Sequence, residues 1–173
     1  MTAKSIVLIG MPGAGKSTVG LLLAKQLGMD FVDTDIIIQV IHGKTLQQII
    51  SDSDYLTLRH YEQQVLLDLD SAEKVIATGG SAVYSAAGMA HLKANASVIF
   101  LDLGLQQLTQ RVTDFDSRGI ARRSDQSFED LFAERRPLYQ QYADLSIDCS
   151  GLSIDQCLQQ ITGKLTGIQY SAN

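Results

Sequence analysis

A glycine-rich segment near the amino terminus has the residue types and spacing that bind phosphate. Residues 10–18 read GMPGAGKST and fit the pattern G-x-x-x-x-G-K-[S/T] in full. Glycines let backbone N–H groups surround phosphate oxygens, because no Cβ atom stands in the way. Lys16 is predicted to reach the β- and γ-phosphates, and Ser17 to offer a hydroxyl to Mg²⁺. The alternative, a glycine-rich turn with a solvated lysine, is disfavoured because the motif follows a predicted strand and opens a predicted helix. The segment therefore predicts a nucleoside triphosphate site with these residues: Gly13, Ala14, Gly15, Lys16, Ser17 and Thr18.

Two aspartates, Asp33 and Asp35, stand two positions apart at the end of the second predicted strand. At that spacing Asp33 can face Mg²⁺, directly or through water, while Asp35 faces an acceptor hydroxyl. The alternative is that Asp35 simply caps the next helix. The chain has no N-K-x-D motif, which disfavours a GTPase switch.

The segment ATGGSAV, residues 77–83, places two glycines directly after another predicted strand. Backbone at Gly79 and Gly80 can approach a small ligand closely, because neither residue has a side chain. A tight strand-to-helix turn is the alternative interpretation.

Arginines form the last candidate group. Arg59 could hold an anionic substrate group through two hydrogen bonds. The stretch DFDSRGIARRSDQS, residues 114–127, has few core candidates and predicts a mobile flap. Arginines on a closing flap can neutralise charge on a phosphoryl group during transfer, although any single arginine could be a solvated surface residue. The set comprises Arg59, Arg118, Arg122, Arg123, Arg135 and Arg136.

Composition narrows the classes of protein. The chain has 173 residues, 45% of them hydrophobic, and a net charge of −5, which predicts one globular domain and disfavours general nucleic-acid binding. Cys149 and Cys157 are the only cysteines, too few for a disulfide scaffold and without zinc spacing, so we expect buried thiols in a reduced compartment. We find no targeting segment and no apolar run of membrane-spanning length, and predict a cytoplasmic protein.

Short apolar runs alternate with longer amphipathic segments, which predicts a parallel sheet covered on both sides by helices. The predicted strands are Ser5–Ile9, Asp30–Val32, Lys74–Ala77, Ser97–Leu101 and Asp144–Ile147. The predicted helices are Lys16–Leu27, Asp54–Asp70, Ser85–Lys93, Leu105–Asp114, Phe128–Tyr142 and Ile154–Leu165. In such a sheet ligands bind outside the carboxyl ends of the strands, where the motifs above lie.

These motifs in this order, together with ERRPLYQQYAD at residues 134–144, resemble the shikimate kinase family. The resemblance covers nearly the whole chain. It implies a fold of the α/β class. This is the three-layer α/β/α P-loop kinase fold, in which helices flank a five-stranded parallel sheet. It also implies one P-loop kinase domain over residues 1–173, a helical acceptor-binding region over residues 33–62, and a lid over about residues 115–126.

The resemblance also implies roles for individual residues. Lys16, Asp35 and Arg118 would be catalytic, with Arg118 as the lid arginine that reaches the ATP phosphates. Arg111 would lie near adenine, Glu62 would brace Arg59 by an ion pair, and Ser17 and Asp33 would place Mg²⁺. The expected contacts of the acceptor are Asp35, Arg59, Gly79, Gly80 and Arg135.

The chain departs from the family pattern at three places. Ser81 replaces a third glycine, Gly119 replaces the proline of the lid's R-P-L, and residues 54–58 lack the usual G-E-x-x-F. We therefore expect an ATP- and Mg²⁺-dependent kinase of a small anionic metabolite, with the 3-hydroxyl of shikimate as acceptor, acting as a monomer. The alternatives are a related kinase for another small hydroxy or sugar acid, and a non-catalytic nucleotide-binding regulator.

Overall fold

Five short apolar strands form one parallel sheet in the computed structural model of the chain, which describes residues 4–113, 115 and 117–170. The strand order is β2-β3-β1-β4-β5, so the first strand lies at the centre, between β3 and β4. The strands are β1 Ser5–Ile9, β2 Asp30–Asp33, β3 Lys74–Ala77, β4 Ala96–Asp102 and β5 Leu145–Asp148. Every residue of β1 is buried, as expected for a strand that is covered on both faces.

Helices connect these strands and flank the sheet, which confirms the predicted three-layer arrangement. The helices are α1 Lys16–Leu27, α2 Thr34–His42, α3 Leu46–Asp52, α4 Tyr55–Asp68, α5 Ala86–Asn95, α6 Leu105–Arg111, α7 Phe128–Tyr142 and α8 Ile154–Tyr170. A short 3₁₀ turn, Ala82–Tyr84, follows β3. The predicted helix Leu105–Asp114 ends earlier, at Arg111, and residue 114 lies outside the described residues.

Among the described residues, the apolar interior divides into two clusters. The larger one surrounds the sheet. The smaller one joins Ile38 of α2, Ile49 of α3 and Leu58 of α4 to Ala121 of the predicted lid. The lid segment is therefore packed onto the α2–α4 region, and this contact closes one side of the cavity described below.

Helices α2 and α3 lie where the residues by themselves predicted no helix. The carboxylate of Asp33 caps α2 by accepting hydrogen bonds from the N–H groups of Asp35 and Ile36, at 3.0 and 3.4 Å. Thr45 and Gln48 form a capping box at the start of α3. These caps satisfy N–H groups that the first turn of a helix leaves without partners, and they set where the acceptor-side helices begin.

Candidate active site

The glycine-rich loop connects the end of β1 to the start of α1. Gly13 and Gly15 have φ angles of 82° and 91°, which side-chain-bearing residues rarely adopt. A Cβ atom on Gly13 would also lie 2.6 Å from a methyl group of Val112. The loop therefore needs glycine both for its backbone shape and for its packing, and it directs the free N–H groups of the α1 amino terminus towards the cavity.

Lys16 is buried at the first position of α1. Its ammonium donates hydrogen bonds to the carbonyls of Gly10 and Met11, at 2.8 and 3.0 Å. Burial lowers the pKa of Lys16 to about 8, while the nearby carboxylate of Asp35 opposes this effect. The site thus holds a desolvated cation that gains from the arrival of a phosphate.

Asp33 and Asp35 differ in their surroundings although they are two residues apart. Asp33 is buried and caps α2, so the capping role that we considered for Asp35 belongs to Asp33. Asp35 lies in the first turn of α2 and faces the cavity. Burial, and next the carboxylate of Asp33, raise the pKa of Asp35 to about 6, with Lys16 and Arg135 opposing the rise.

The turn after β3 packs tightly against the acceptor-side helices. The N–H of Gly79 donates to the hydroxyl of Thr34 at 3.0 Å, and a Cβ atom at Gly79 would collide with the carboxyl group of Glu62. The carbonyl of Gly80 accepts a hydrogen bond of 2.6 Å from the hydroxyl of Tyr139. The sequence predicted that the backbone at both glycines could approach a small ligand closely. In the structure this backbone lies close to protein groups.

Glu62 does not brace Arg59, contrary to what the resemblance implied. Its carboxylate accepts a hydrogen bond from the hydroxyl of Ser81, and no ion pair joins it to Arg59 among the described residues. Burial, and next the carboxylate of Asp35, raise the pKa of Glu62 to about 7. The hydroxyl of Ser81, at the position where the family pattern has a third glycine, is a donor to Glu62 that glycine could not supply.

Two tyrosines and the lid surround Arg59. Its guanidinium lies 3.6 Å from the ring centre of Tyr84 and 5.1 Å from that of Tyr55, distances at which cation–π attraction is effective. One nitrogen donates to the carbonyl of Ala121 at 3.3 Å, while Nε is buried without a partner. The aromatic contacts come from positions that the sequence motifs did not single out.

Arg135 lies fully buried in α7 and donates a hydrogen bond of 2.7 Å to the same carbonyl of Ala121. Its Nε is also buried without a partner. A buried cationic donor with free hydrogen-bonding capacity favours an anion in its vicinity. Arg59 and Arg135 therefore form a basic pair at one lid carbonyl.

A cavity of about 320 Å³ lies between the glycine-rich loop, the β3 turn, the lid and α7. Of the predicted site residues, the following line it: Gly13, Gly15, Lys16, Ser17, Thr18, Asp35, Gly80, Arg111, Arg118 and Arg135. The others, Ala14, Asp33, Arg59 and Gly79, lie outside its lining. The loop that would bind phosphate and three of the five predicted acceptor contacts, Asp35, Gly80 and Arg135, thus face one space.

The arginines of the lid and of α7 divide by their contacts. Arg118 lines the cavity, whereas Arg122 donates to three carbonyls of its own segment and Arg123 contacts the carboxylate of Glu134 at 3.4 Å. Arg136 forms a two-point ion pair with Asp102, at 3.1 and 2.7 Å. Of these four arginines, Arg118 is the one that could meet a ligand in the cavity.

Sequence reasoning missed several residues that shape the site. Leu46, Leu58 and Ala121 line the cavity, and Tyr84 stacks on Arg59. Nothing local in the sequence distinguishes these residues, since each acquires its role through contacts between distant segments.

The oxygen donors near the loop suit Mg²⁺. Among residues 4–113, 115 and 117–170, no group of three or more His, Cys, Asp or Glu side chains could hold a metal ion. Mg²⁺ that accompanies a nucleotide needs few protein ligands, because phosphates and water fill the remaining positions. The exposed hydroxyl of Ser17 and the carboxylate of Asp33 have the hard oxygen chemistry that this arrangement requires.

A phosphate loop, a buried lysine, a cavity-facing carboxylate and a buried arginine line one space, with a second arginine beside it, and these features define a P-loop kinase that acts on a small anionic molecule. In the described part of the chain no helix is both long and apolar enough to cross a membrane.

Comparison with known proteins gives the family. A family model for shikimate kinase matches residues 12–166. A shikimate kinase of Persephonella marina is 34% identical over 163 residues, which is 94% of this chain and 99% of that protein. A second shikimate kinase, from Microcystis aeruginosa, is 40% identical over 151 residues, which is 86% of this chain and 78% of that protein. The structure of a shikimate kinase from Acinetobacter baumannii in complex with shikimate has a TM-score of 0.88 at 31% identity, covering 96% of this chain and 94% of that one. The chain belongs to the shikimate kinase family and is an ATP-dependent phosphotransferase with an alcohol group as acceptor.

Proposed function

We propose that the protein transfers the γ-phosphoryl group of ATP to the 3-hydroxyl of shikimate. One observation carries this proposal, namely that the phosphate loop and the acceptor-side groups Asp35 and Arg135 line a single cavity. The similarity to a relative described in complex with shikimate supports the choice of acceptor.

On the donor side, the loop N–H groups and the ammonium of Lys16 bind the β- and γ-phosphates. Ser17 and Asp33 would hold Mg²⁺, which would supply charge neutralisation and orientation of the phosphates. Arg111 contacts the nucleotide near adenine, a role supported by its position at the cavity and by its hydrogen bond of 3.5 Å to the carbonyl of Gly13. Arg118 approaches the phosphates from the lid.

On the acceptor side, Arg59 and Arg135 bind the carboxylate, and the backbone at Gly79 and Gly80 borders the ring. Asp35 accepts a hydrogen bond from the hydroxyl and takes its proton as the phosphoryl group transfers. A pKa of about 6 suits this role, because a base works best when its pKa lies near the working pH. The closed lid keeps water from the phosphoryl group. Catalysis then rests mainly on positioning and charge neutralisation.

We further propose that the chain works as one P-loop kinase domain, as a cytoplasmic monomer, and without nucleic-acid or membrane partners. The net charge of −5 supports the exclusion of nucleic acid, because phosphate backbones attract basic surfaces.

A coupled assay of ADP release tests the proposal. Shikimate and a panel of small hydroxy and sugar acids are each supplied with Mg²⁺ and ATP, and ³¹P and ¹H NMR identify the phosphorylated hydroxyl. We expect turnover with shikimate well above the ATPase background, with product at the 3-position. Turnover with another acid alone would refute shikimate as the substrate, and no turnover with any acid would refute the kinase assignment.

A further inference from the structure

The carboxyl group of Glu62 is held on the turn that follows β3. Its Oε2 accepts a hydrogen bond from the hydroxyl of Ser81, and both residues are buried. Its other oxygen lies directly against Gly79, where a Cβ atom would collide with it. The serine hydroxyl and the bare glycine together give this carboxylate a defined resting position on the turn.

Arg59 lies three residues before Glu62 on α4 and forms no ion pair among the described residues. Its contacts are the rings of Tyr55 and Tyr84 and the carbonyl of Ala121. Its Nε is buried and makes no hydrogen bond, and no carboxylate in the described part of the chain forms an ion pair with it. Its guanidinium lies outside the lining of the cavity but beside Ala121, which lines it, and its charge is not neutralised by an ion pair in the described part of the chain.

Glu62 is placed to compete for Arg59, whereas Glu134, whose charge also acts on Arg59, already accepts hydrogen bonds from other side chains. Side chains three positions apart on a helix are neighbours and readily form ion pairs, and Arg135 and next Arg59 are among the groups that lower the pKa of Glu62. A buried carboxylate that lost the hydrogen bond from Ser81 would need a new donor. Arg59 and Arg135 each have a buried Nε–H without a partner, and Arg59 is the one that shares α4 with Glu62.

We propose that Ser81 is a positioning residue for acceptor binding, which holds Glu62 on the β3 turn and thereby leaves Arg59 free for the carboxylate of the acceptor. The inference rests on the proposed function, since it assigns the ligand of Arg59. It concerns binding of the acceptor and not the chemical step, so it predicts an effect on KM and little effect on kcat.

The test measures KM and kcat for the acceptor at saturating ATP in wild type, Ser81→Ala, Glu62→Gln and the double variant. The assays run at pH 8, above the pKa of about 7 for Glu62, so that this carboxylate is ionised. Ser81→Ala frees Glu62 to pair with Arg59. The carboxylate of the acceptor then has to displace Glu62 from the guanidinium. We expect an increase in KM of about tenfold, equivalent to exchanging one charge-assisted hydrogen bond, with kcat changed less than twofold.

The double variant separates this mechanism from a loss of packing. Its glutamine carries no charge and competes weakly for a guanidinium, so the KM of the double variant should return close to that of Glu62→Gln alone. Ser85→Ala is the matched control, because Ser85 is also buried and contacts a side chain of α4, at 2.9 Å from Gln63, yet does not line the cavity. It should leave KM unchanged. Ser81→Gly provides a second variant without the hydroxyl, and thermal unfolding checks that each variant folds.

Two results would overturn the inference. One is an unchanged KM in both Ser81→Ala and Ser81→Gly. The other is an increase in KM that persists in full in the double variant, which would mean that the serine acts only through packing. The assay of the wild-type protein with the panel of acids distinguishes a failure of the proposed function from a failure of this inference. If another acid of the panel is the acceptor, shikimate is refuted and the same variants are measured with that acid, whereas no turnover with any acid overturns both proposals.

Discussion

Replacing Glu62 by glutamine should make the protein less sensitive to alkaline pH. Glutamine keeps the size of the side chain and an oxygen that can accept from Ser81, but it does not ionise. In the folded chain, burial raises the pKa of Glu62 from 4.5 to about 7. Each pKa unit corresponds to about 1.4 kcal/mol, so ionising this group within the fold costs about 3 kcal/mol at high pH.

The sign follows from which form the fold prefers. Because the folded pKa is the higher one, the folded state binds the proton more tightly than the unfolded state. The contribution of Glu62 to stability is full below pH 4.5 and is lost as the pH rises through about 7. Between pH 5 and pH 8 the loss amounts to about 2 to 3 kcal/mol.

Urea unfolding of wild type and Glu62→Gln at a series of pH values between 5 and 8 measures this loss. The free energy of unfolding of wild type, minus that of the variant, should fall by about 2 to 3 kcal/mol across the range. Glu129→Gln is the control, because that carboxylate is exposed at the start of α7 and meets water in both states. A difference between wild type and Glu62→Gln that stays constant with pH would refute the reasoning.

Three further predictions follow from the site. Lys16→Ala should abolish turnover in the coupled assay, because it removes the buried ammonium of the phosphate loop; substantial residual activity would contradict its role. Arg59→Ala should raise the KM for the acceptor by about tenfold or more, with a smaller change in kcat, and an unchanged KM would show that another group binds the carboxylate. Arg136→Ala breaks the two-point ion pair with Asp102 and should lower the free energy of unfolding in urea by about 1 kcal/mol. Its KM should not change, and a raised KM would place Arg136 at the site.

The donor side of the site could be predicted from the sequence because its residues are neighbours along the chain. The loop from Gly10 to Ser17 joins β1 directly to α1, and its glycines, lysine and hydroxyls do their work within a single turn. The strand predictions succeeded for a similar reason, since buried parallel strands are short apolar runs. β1 and β3 have the predicted bounds, and the other strands differ by a residue at one or both ends.

The residues of α2 show why part of the acceptor side could not be predicted locally. TDIIIQVIH contains five β-branched apolar residues, whose intrinsic preference is for strands, and only Ile38 among them is fully buried. Asp33 caps the first turn of this helix, and Gly43 ends it with a left-handed residue at φ 61°. Packing of Ile38 against α3 and α4 adds the tertiary contacts that supply most of the stability of a helix in a protein. Caps and packing together thus override the strand propensity of the segment.

The position of Arg59 depends on segments far apart in the sequence. Its guanidinium contacts Tyr84 on the β3 turn and Ala121 on the lid, and its expected partner Glu62 is taken by Ser81. The partners of this arginine could not be predicted from its own segment, because Tyr84 and Ala121 reach it, and Ser81 reaches its neighbour Glu62, only in the folded chain.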